Sequence, residues 1–195
     1  MTALIDRLRA APPALRFGLA AIVQLAAVAM MVMGQAAILR NGVEVTLATA
    51  PVDPRDFMRG DYVILSYEIS TLDGGKLERV EPVERGDIVY VTLARGENGL
   101  YEARALARQP PAATPERPAL RGRVRAGGCA TLDQCKRISV DYGLESYFVP
   151  EGQGRVLETM RKERLQVVAA VTPDGHARIK RLLVDGKMIY EEPPF

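Results

Sequence analysis

The chain predicts a mainly β (α+β) fold: one N-terminal transmembrane helix, then a mostly antiparallel sheet or open barrel with one or two short helices. Three observations lead there. Residues 17–39 carry no formal charge. The remainder alternates apolar and polar residues in short runs bounded by Gly, Pro and Asp, the pattern of half-buried strands joined by tight turns. Only one later stretch, Arg155 to Arg164, places apolar residues (Val156, Leu157, Met160) at helical spacing among charges.

The first element is the charge-free run. Phe17 to Leu39 is 23 residues long, and its only strongly polar members are Gln24 and Gln35. At about 1.5 Å per residue it reaches roughly 35 Å, enough to cross a hydrocarbon core of about 30 Å with some tilt. A lipid bilayer is therefore the expected partner of residues 17–39. Arg7, Arg9 and Arg16 precede the run with Asp6 the one acid among them, whereas Arg40 alone follows closely. Cationic flanks are costly to translocate, so residues 1–16 are expected to be a cytoplasmic leader and residues 40–195 an extracytoplasmic domain. A cleavable signal peptide is the competing reading, with Gly34-Gln35-Ala36 as a small-x-small site. The long leader and an apolar run beyond the usual span of about 7–15 residues favour a retained anchor. A soluble surface helix would show a polar stripe at the helical period, which this segment lacks.

Composition bounds the rest. The chain carries 26 Lys plus Arg against 24 Asp plus Glu. Setting aside the leader's three arginines and one aspartate leaves the same number of each sign from residue 40 onward. Nucleic-acid binding needs a basic surplus to displace counterions from phosphates, so no nucleic-acid partner is expected. The two cysteines, Cys129 and Cys135, flank a five-residue segment preceded by Gly127-Gly128. In an oxidising compartment they are a disulfide candidate closing a short loop. A structural zinc site wants about four Cys or His ligands. With His176 the sole histidine, neither a metal nor another cofactor is expected.

Val43, Val45 and Leu47 alternate with polar or small residues and predict a strand leaving the helix, interrupted by Pro51 and Pro54. Tyr62 to Ile69 reads as the clearest strand, with Val63, Leu65, Tyr67 and Ile69 on one face and Tyr62 on the other. Asp73-Gly74-Gly75 is a turn. Ile88 to Leu93 and Leu100 to Leu106 read as a hairpin about the loop Gly96 to Gly99. Both Tyr62 and Ile88 follow an Arg-Gly-Asp triplet, in Arg59-Gly60-Asp61 and Arg85-Gly86-Asp87. Gly there supplies an unusual φ, and Asp satisfies nearby backbone N–H groups to start a strand; a ligand-facing role is the other reading. Gln109 to Ala119, with four prolines, is an extended loop. Leu120 to Val124 and Arg137 to Asp141 predict strands on either side of the cysteine loop. Leu165 to Val171, Ala177 to Val184 and Lys187 to Tyr190 predict three more, joined by turns at Pro173-Asp174-Gly175 and Asp185-Gly186.

The segment Gly60-Asp61-Tyr62-Val63-Ile64-Leu65-Ser66-Tyr67 resembles, position for position, the signature of the membrane-anchored GDYXXLXY protein family. Asp53-Pro54-Arg55-Asp56, and the block Tyr142-Gly143-Leu144-Glu145 with Tyr147-Phe148-Val149-Pro150-Glu151-Gly152, are similar to that family too. The resemblance implies an uncharacterised bacterial envelope protein, often accompanied by polytopic membrane proteins, and supplies no established catalytic residues. The expected location is thus the inner membrane, single-pass, with a cytoplasmic N-terminus and a periplasmic domain. Period-2 logic makes Leu65 and Tyr67 core residues. The candidate contact residues for a membrane-protein partner are Gly60, Asp61, Tyr62, Tyr142, Glu145, Tyr147, Phe148 and Glu151, because tyrosine offers apolar area and a hydrogen bond together. Core packing of the aromatics is the competing account.

An enzyme is the other class. A single anchor followed by Gly-Asp-initiated strands is similar to the layout of Ser/Lys signal peptidases. Val52 holds the position of their nucleophilic serine, and Tyr101-Glu102-Ala103-Arg104-Ala105 lacks their lysine base. Both groups are required for that chemistry. A hydrolase or ligand-processing domain on such a scaffold would instead need a carboxylate pair, Asp61 with Asp87 or Glu145.

Overall fold

The computed structural model describes residues 12–50, 62–112, 114–128, 136–148 and 165–193, with the backbone alone at 62–64 and 147–148. It divides into two compact units between Ala37 and Ile38. The first holds most of a single helix, α1 (Pro13–Asn41), 29 residues and therefore about 44 Å long. Pro13 suits the first turn, where its missing N–H has no acceptor to lose. Large apolar side chains from Leu15 to Met33 are exposed on every side of α1, and the helix is long and apolar enough to cross a membrane. Its last turn belongs to the second unit, where Leu39 is buried.

The second unit is a β domain with a curled, half-barrel sheet. Its strands, in chain order, are β1 (Val43–Ala50), β2 (Tyr62–Ile64), β3 (Ser66–Tyr67), β4 (Thr71–Leu72), β5 (Arg79–Val80), β6 (Ile88–Arg95), β7 (Tyr101–Ala107), β8 (Ala119–Gly127), β9 (Ile138–Asp141), β10 (Ser146–Phe148), β11 (Leu165–Val171), β12 (Ala177–Val184) and β13 (Lys187–Glu191). They form a five-stranded sheet in the order β13-β12-β11-β1-β3, a six-stranded sheet in the order β4-β9-β8-β6-β7-β5, and a small pair of β10 with β2. Among these pairings only β5 with β7 is parallel.

Period-2 alternation builds the core. Val45 and Leu47 of β1, Val89, Val91 and Leu93 of β6, Leu106 of β7, and Leu120 and Val124 of β8 are buried in one cluster with Val167, Ala169 and Val171 of β11. Each fully buried branched side chain contributes about 1.5–3 kcal/mol relative to exposure. The β6-β7, β11-β12 and β12-β13 hairpins occur where the sequence predicts them, and β11 and β12 have the predicted bounds. The last turn places Asp185 and Gly186 at φ 51° and 76°. Positive φ at both central residues is the twist that a two-residue hairpin loop requires.

One expectation is corrected. Tyr62 to Ile69 is not a single strand but β2, a break at Leu65, β3, and a 3₁₀ turn at Glu68–Ser70. The segment changes partner along its length: β2 pairs with β10, β3 with β1 and, after the turn, β4 with β9. Leu65, Tyr67 and Ile69 are nonetheless all buried, as period-2 spacing predicts. The helix expected at 155–164 and the pair Cys129 and Cys135 lie outside the described residues.

On the outer face of the five-stranded sheet a bulge in β12 shifts the register between Val168 and Ala169, so Arg181 pairs with Val168 while Ile179 pairs with Ala169. The intervening Lys180 is the extra residue, and a bulge turns two consecutive side chains toward one side. Lys180 Nζ lies 2.9 Å from Glu44 Oε1, and Arg181 binds Glu44 Oε2. Arg181 also approaches Glu191 of β13 at 3.8 Å. Glu44 and Arg181 are register partners of Ala170 and Val168 on β11, so the ion pair spans those two residues, which are buried on this face as well.

The Lys180 hydrogen bond, above all, together with the charges of Arg181 and Lys180, holds the Glu44 carboxyl below its ordinary value of 4.5. A lowered carboxylate pKa contributes stability that is complete above the unfolded value and is lost as pH falls through the lower folded one. Glu44→Gln should therefore lower the stability of the full-length protein in detergent by roughly 1 kcal/mol or less at neutral pH, because the group is partly exposed. Thermal melts followed by circular dichroism should show wild type and variant converging as pH drops below the ordinary value of 4.5.

Candidate functional site

The two sequence blocks singled out above, residues 60–67 and 142–151, meet in the structure along their described parts. β2 and β10 pair in antiparallel register, with Ser146 opposite Ile64, Tyr147 opposite Val63 and Phe148 opposite Tyr62. Just beyond the pair, the Leu65 N–H donates to the Glu145 carbonyl at 2.7 Å, extending the ladder by one bond.

Two tyrosines then lock the blocks together. The Tyr67 hydroxyl donates to the Leu144 carbonyl at 2.6 Å, and the Tyr142 hydroxyl donates to the Ile69 carbonyl at 2.7 Å. Each block thus supplies one phenol to a backbone acceptor of the other. Tyr67 is 1% exposed and Tyr142 7% exposed. Buried tyrosines of this kind need a partner for the hydroxyl, and here the acceptor is a loop carbonyl that the sheets leave unsatisfied.

Glu145 organises the turn between them. One carboxylate oxygen accepts from the Tyr142 N–H at 2.6 Å, and the other accepts from the Gly143 N–H at 2.8 Å. Gly143 sits at φ 77°, a left-handed conformation that costs glycine nothing and most other residues about 1–2 kcal/mol. Burial, and to a lesser degree the nearby Glu145 charge, push both phenols far above the ordinary tyrosine value. They are neutral donors throughout the range in which proteins are stable, and neither is a usable acid or base.

The second Arg-Gly-Asp triplet shows the strand-starting geometry. Gly86 has φ 96°, and the Asp87 carboxylate accepts from the Glu84 N–H at 3.0 Å while facing Arg108 at 3.5 Å. Asp87 and Glu145 are each committed to their own local backbone, one at the start of β6 and the other ahead of β10. Gly60, Asp61 and Glu151 lie outside the described residues. Of the sequence-named contact residues, Tyr142 is interior with its hydroxyl spent, Glu145 is half-buried and caps a turn, and Tyr62, Tyr147 and Phe148 occupy the β2-β10 pair. Sequence reasoning placed Leu65 and Tyr67 in the core but missed the carbonyls of Leu144 and Ile69 as their partners' anchor points. The signal was present in outline: one Tyr in each block, and a Gly-x-Glu immediately after Tyr142.

Removing either hydroxyl strands a buried carbonyl, which costs about 1–3 kcal/mol. Tyr67→Phe and Tyr142→Phe should each lower the unfolding free energy of the full-length protein, read from urea denaturation, by that amount, and losses well under 1 kcal/mol would contradict the assignment. The raised phenol pKa values carry a second expectation. Stability from them is complete below the ordinary value of 10.0 and is lost as pH rises above it, because the unfolded phenols ionise first. In an ultraviolet titration, two of the seven tyrosines should stay silent until the protein unfolds.

Comparison with curated proteins and with solved structures finds no match. A family model described as GDYXXLXY protein matches residues 24–182, from within α1 to β12, and so takes in both tyrosine-locked blocks. By that match, which covers most of its length, the chain belongs to the GDYXXLXY protein family.

Proposed function

We propose that this protein is a single-pass envelope protein whose β domain is a non-enzymatic partner-binding module, held beside an integral membrane protein by α1. The observation that carries the reading is that three described polar side chains of the two blocks are spent on architecture. Tyr67, Tyr142 and Glu145 are all tied to backbone groups of the same domain. What the two blocks hold in common beyond that lock is the β2-β10 pair, where Tyr62 faces Phe148 in register and Tyr147 faces Val63. Aromatic residues gathered on a short two-stranded ribbon suit an interface. The arginines of the leader orient the span with its N-terminus in the cytoplasm and the β domain in the periplasm.

A hydrolase built on Asp61 with Asp87 or Glu145 is the second reading. It is weakened by the local duties of Asp87 and Glu145, whose carboxylates already accept backbone N–H bonds. A carboxylate so engaged has its oxygens committed to backbone donors rather than to a substrate.

Two measurements test the proposal. Protease added to spheroplasts should digest the β domain and spare the leader, and the full-length chain should remain with membranes after alkaline carbonate washing. In pull-downs from solubilised membranes, Tyr62→Ala and Tyr147→Ala should lose the partner while melting at the wild-type temperature. Stable variants that keep the same partner would remove the β2-β10 pair from the interface.

A further inference from the structure

The helix α1 carries a feature that crossing a bilayer does not require. Gln24 and Gln35 are the only strongly polar side chains between Phe17 and Leu39, and both are exposed. Their positions differ by eleven residues, which on an α-helix is three turns and about 20°, so the two carboxamides project from one side, about 16 Å apart along the axis. A shift of two residues would have put the second on the far side. Gln24 lies seven residues, about 10 Å, inside the end of the run at Phe17, and Gln35 lies four residues, about 6 Å, from the end at Leu39. The Gln35 side chain can extend toward the headgroup layer, whereas the Gln24 carboxamide is held within the hydrocarbon. There an amide without a hydrogen-bond partner is costly, and no water supplies one.

We propose that α1 pairs in parallel with α1 of a second copy of this chain, each Gln24 and each Gln35 hydrogen-bonding to its own counterpart. The inference rests on the membrane-spanning reading of α1 and goes beyond the proposed function by setting two β domains side by side. A carboxamide is both donor and acceptor, so it complements itself across a two-fold axis. Copies inserted in the same direction hold each glutamine at the depth of its counterpart, and one axis along the membrane normal brings both pairs together. A foreign helix would need polar groups at the same two depths, about 16 Å apart, on one face. Between the two levels the shared face carries Ala27, Val28 and Met31, and the last two are exposed on the single helix at 55% and 71%. Ala20 and Ala27, about one turn before and after Gln24, are small enough for two backbones to approach within reach of a carboxamide pair.

The test uses the full-length protein, labelled at its N-terminus with a donor or an acceptor dye and reconstituted in phosphatidylcholine vesicles. Energy transfer is followed as the protein is diluted into lipid, and it should fall along a monomer–dimer curve. Gln24→Leu should move the midpoint to a protein density about three- to thirtyfold higher, the range for interhelical hydrogen bonds between membrane helices, and Gln35→Leu should move it less. Leucine is more apolar than glutamine and as good a helix former, so neither variant loses the span. Gln24→Asn, which keeps a carboxamide, should retain more association than Gln24→Leu. Transfer at the chance level for wild type at every density, or a Gln24→Leu variant that pairs as well as wild type, overturns the proposal. A wild-type chain that is monomeric in vesicles yet captures a different membrane protein through Gln24 overturns it too, giving the face to a foreign helix. Tyr62→Ala and Tyr147→Ala should leave the transfer unchanged, so failure of the β2-β10 interface and failure of the helix pair are read separately. In the carbonate wash, a chain retained in membranes but monomeric in lipid loses only the pairing, whereas a released chain loses anchor and pairing together.

Discussion

The domain depends on two hydrogen bonds that run in opposite directions between the same two segments. Tyr67 reaches from β3 to the Leu144 carbonyl, and Tyr142 reaches from the end of β9 to the Ile69 carbonyl. Their position explains why they matter more than an average pair. Residues 62–72 thread all three sheets in succession, pairing first with β10, then with β1, then with β9. At each change of partner the backbone leaves a ladder, and a carbonyl or N–H is left to be satisfied. The Leu65 N–H finds Glu145, the Leu144 and Ile69 carbonyls find the tyrosines, and Glu145 in turn satisfies two N–H groups of its own turn. The corner is thereby closed by the chain's own groups, next to the core cluster that both large sheets share.

This gives the GDYXXLXY signature a physical meaning along its described part. The terminal Tyr is required because a phenylalanine would fill the same space but strand a carbonyl; the Leu two residues earlier is buried at 4% exposure and marks the point where the strand changes sheets. The second block is the complement of the first, since its Tyr, Gly and Glu form the turn that presents the accepting carbonyl. Family membership and fold are therefore one observation seen twice. The function proposed for the β2-β10 pair begins where this internal accounting ends.

Much of the architecture was legible in the sequence because it is periodic. The charge-free run and the alternating strands β6, β7, β8 and β12 declare themselves by spacing, β11 by a short continuous apolar run, and their turns by Gly, Asp and Asn. The break at Leu65 was not legible. Val63, Leu65, Tyr67 and Ile69 keep perfect alternation across it, and alternation reports which face is buried rather than which neighbour is paired. The same limit hid β4 and β5, two residues each, whose pairing is decided by distant strands. The Glu44 network escaped because it is created by a bulge that sets Lys180 and Arg181 side by side, a feature of β12 against β11 and not of either alone. Of the candidate site, Tyr67 was placed in the core from its period, while Tyr142 and Glu145 looked like contact residues. An aromatic beside an acid reads the same whether it faces a partner or closes a corner.

The central claim is that the tyrosine exchange, not the β2-β10 ladder alone, holds the corner shut. Native-state hydrogen exchange at the Leu65 amide tests it most directly, since that amide bonds across the two blocks yet belongs to neither tyrosine. In the wild-type protein it should exchange only through global unfolding, with the denaturant dependence of the core strands β6 and β11. In a Tyr67→Phe, Tyr142→Phe double variant it should exchange through a local opening that denaturant barely affects, while the β6 and β11 amides still require global unfolding. A Leu65 amide that opens locally in the wild type, or that stays coupled to global unfolding in the double variant, would contradict the account.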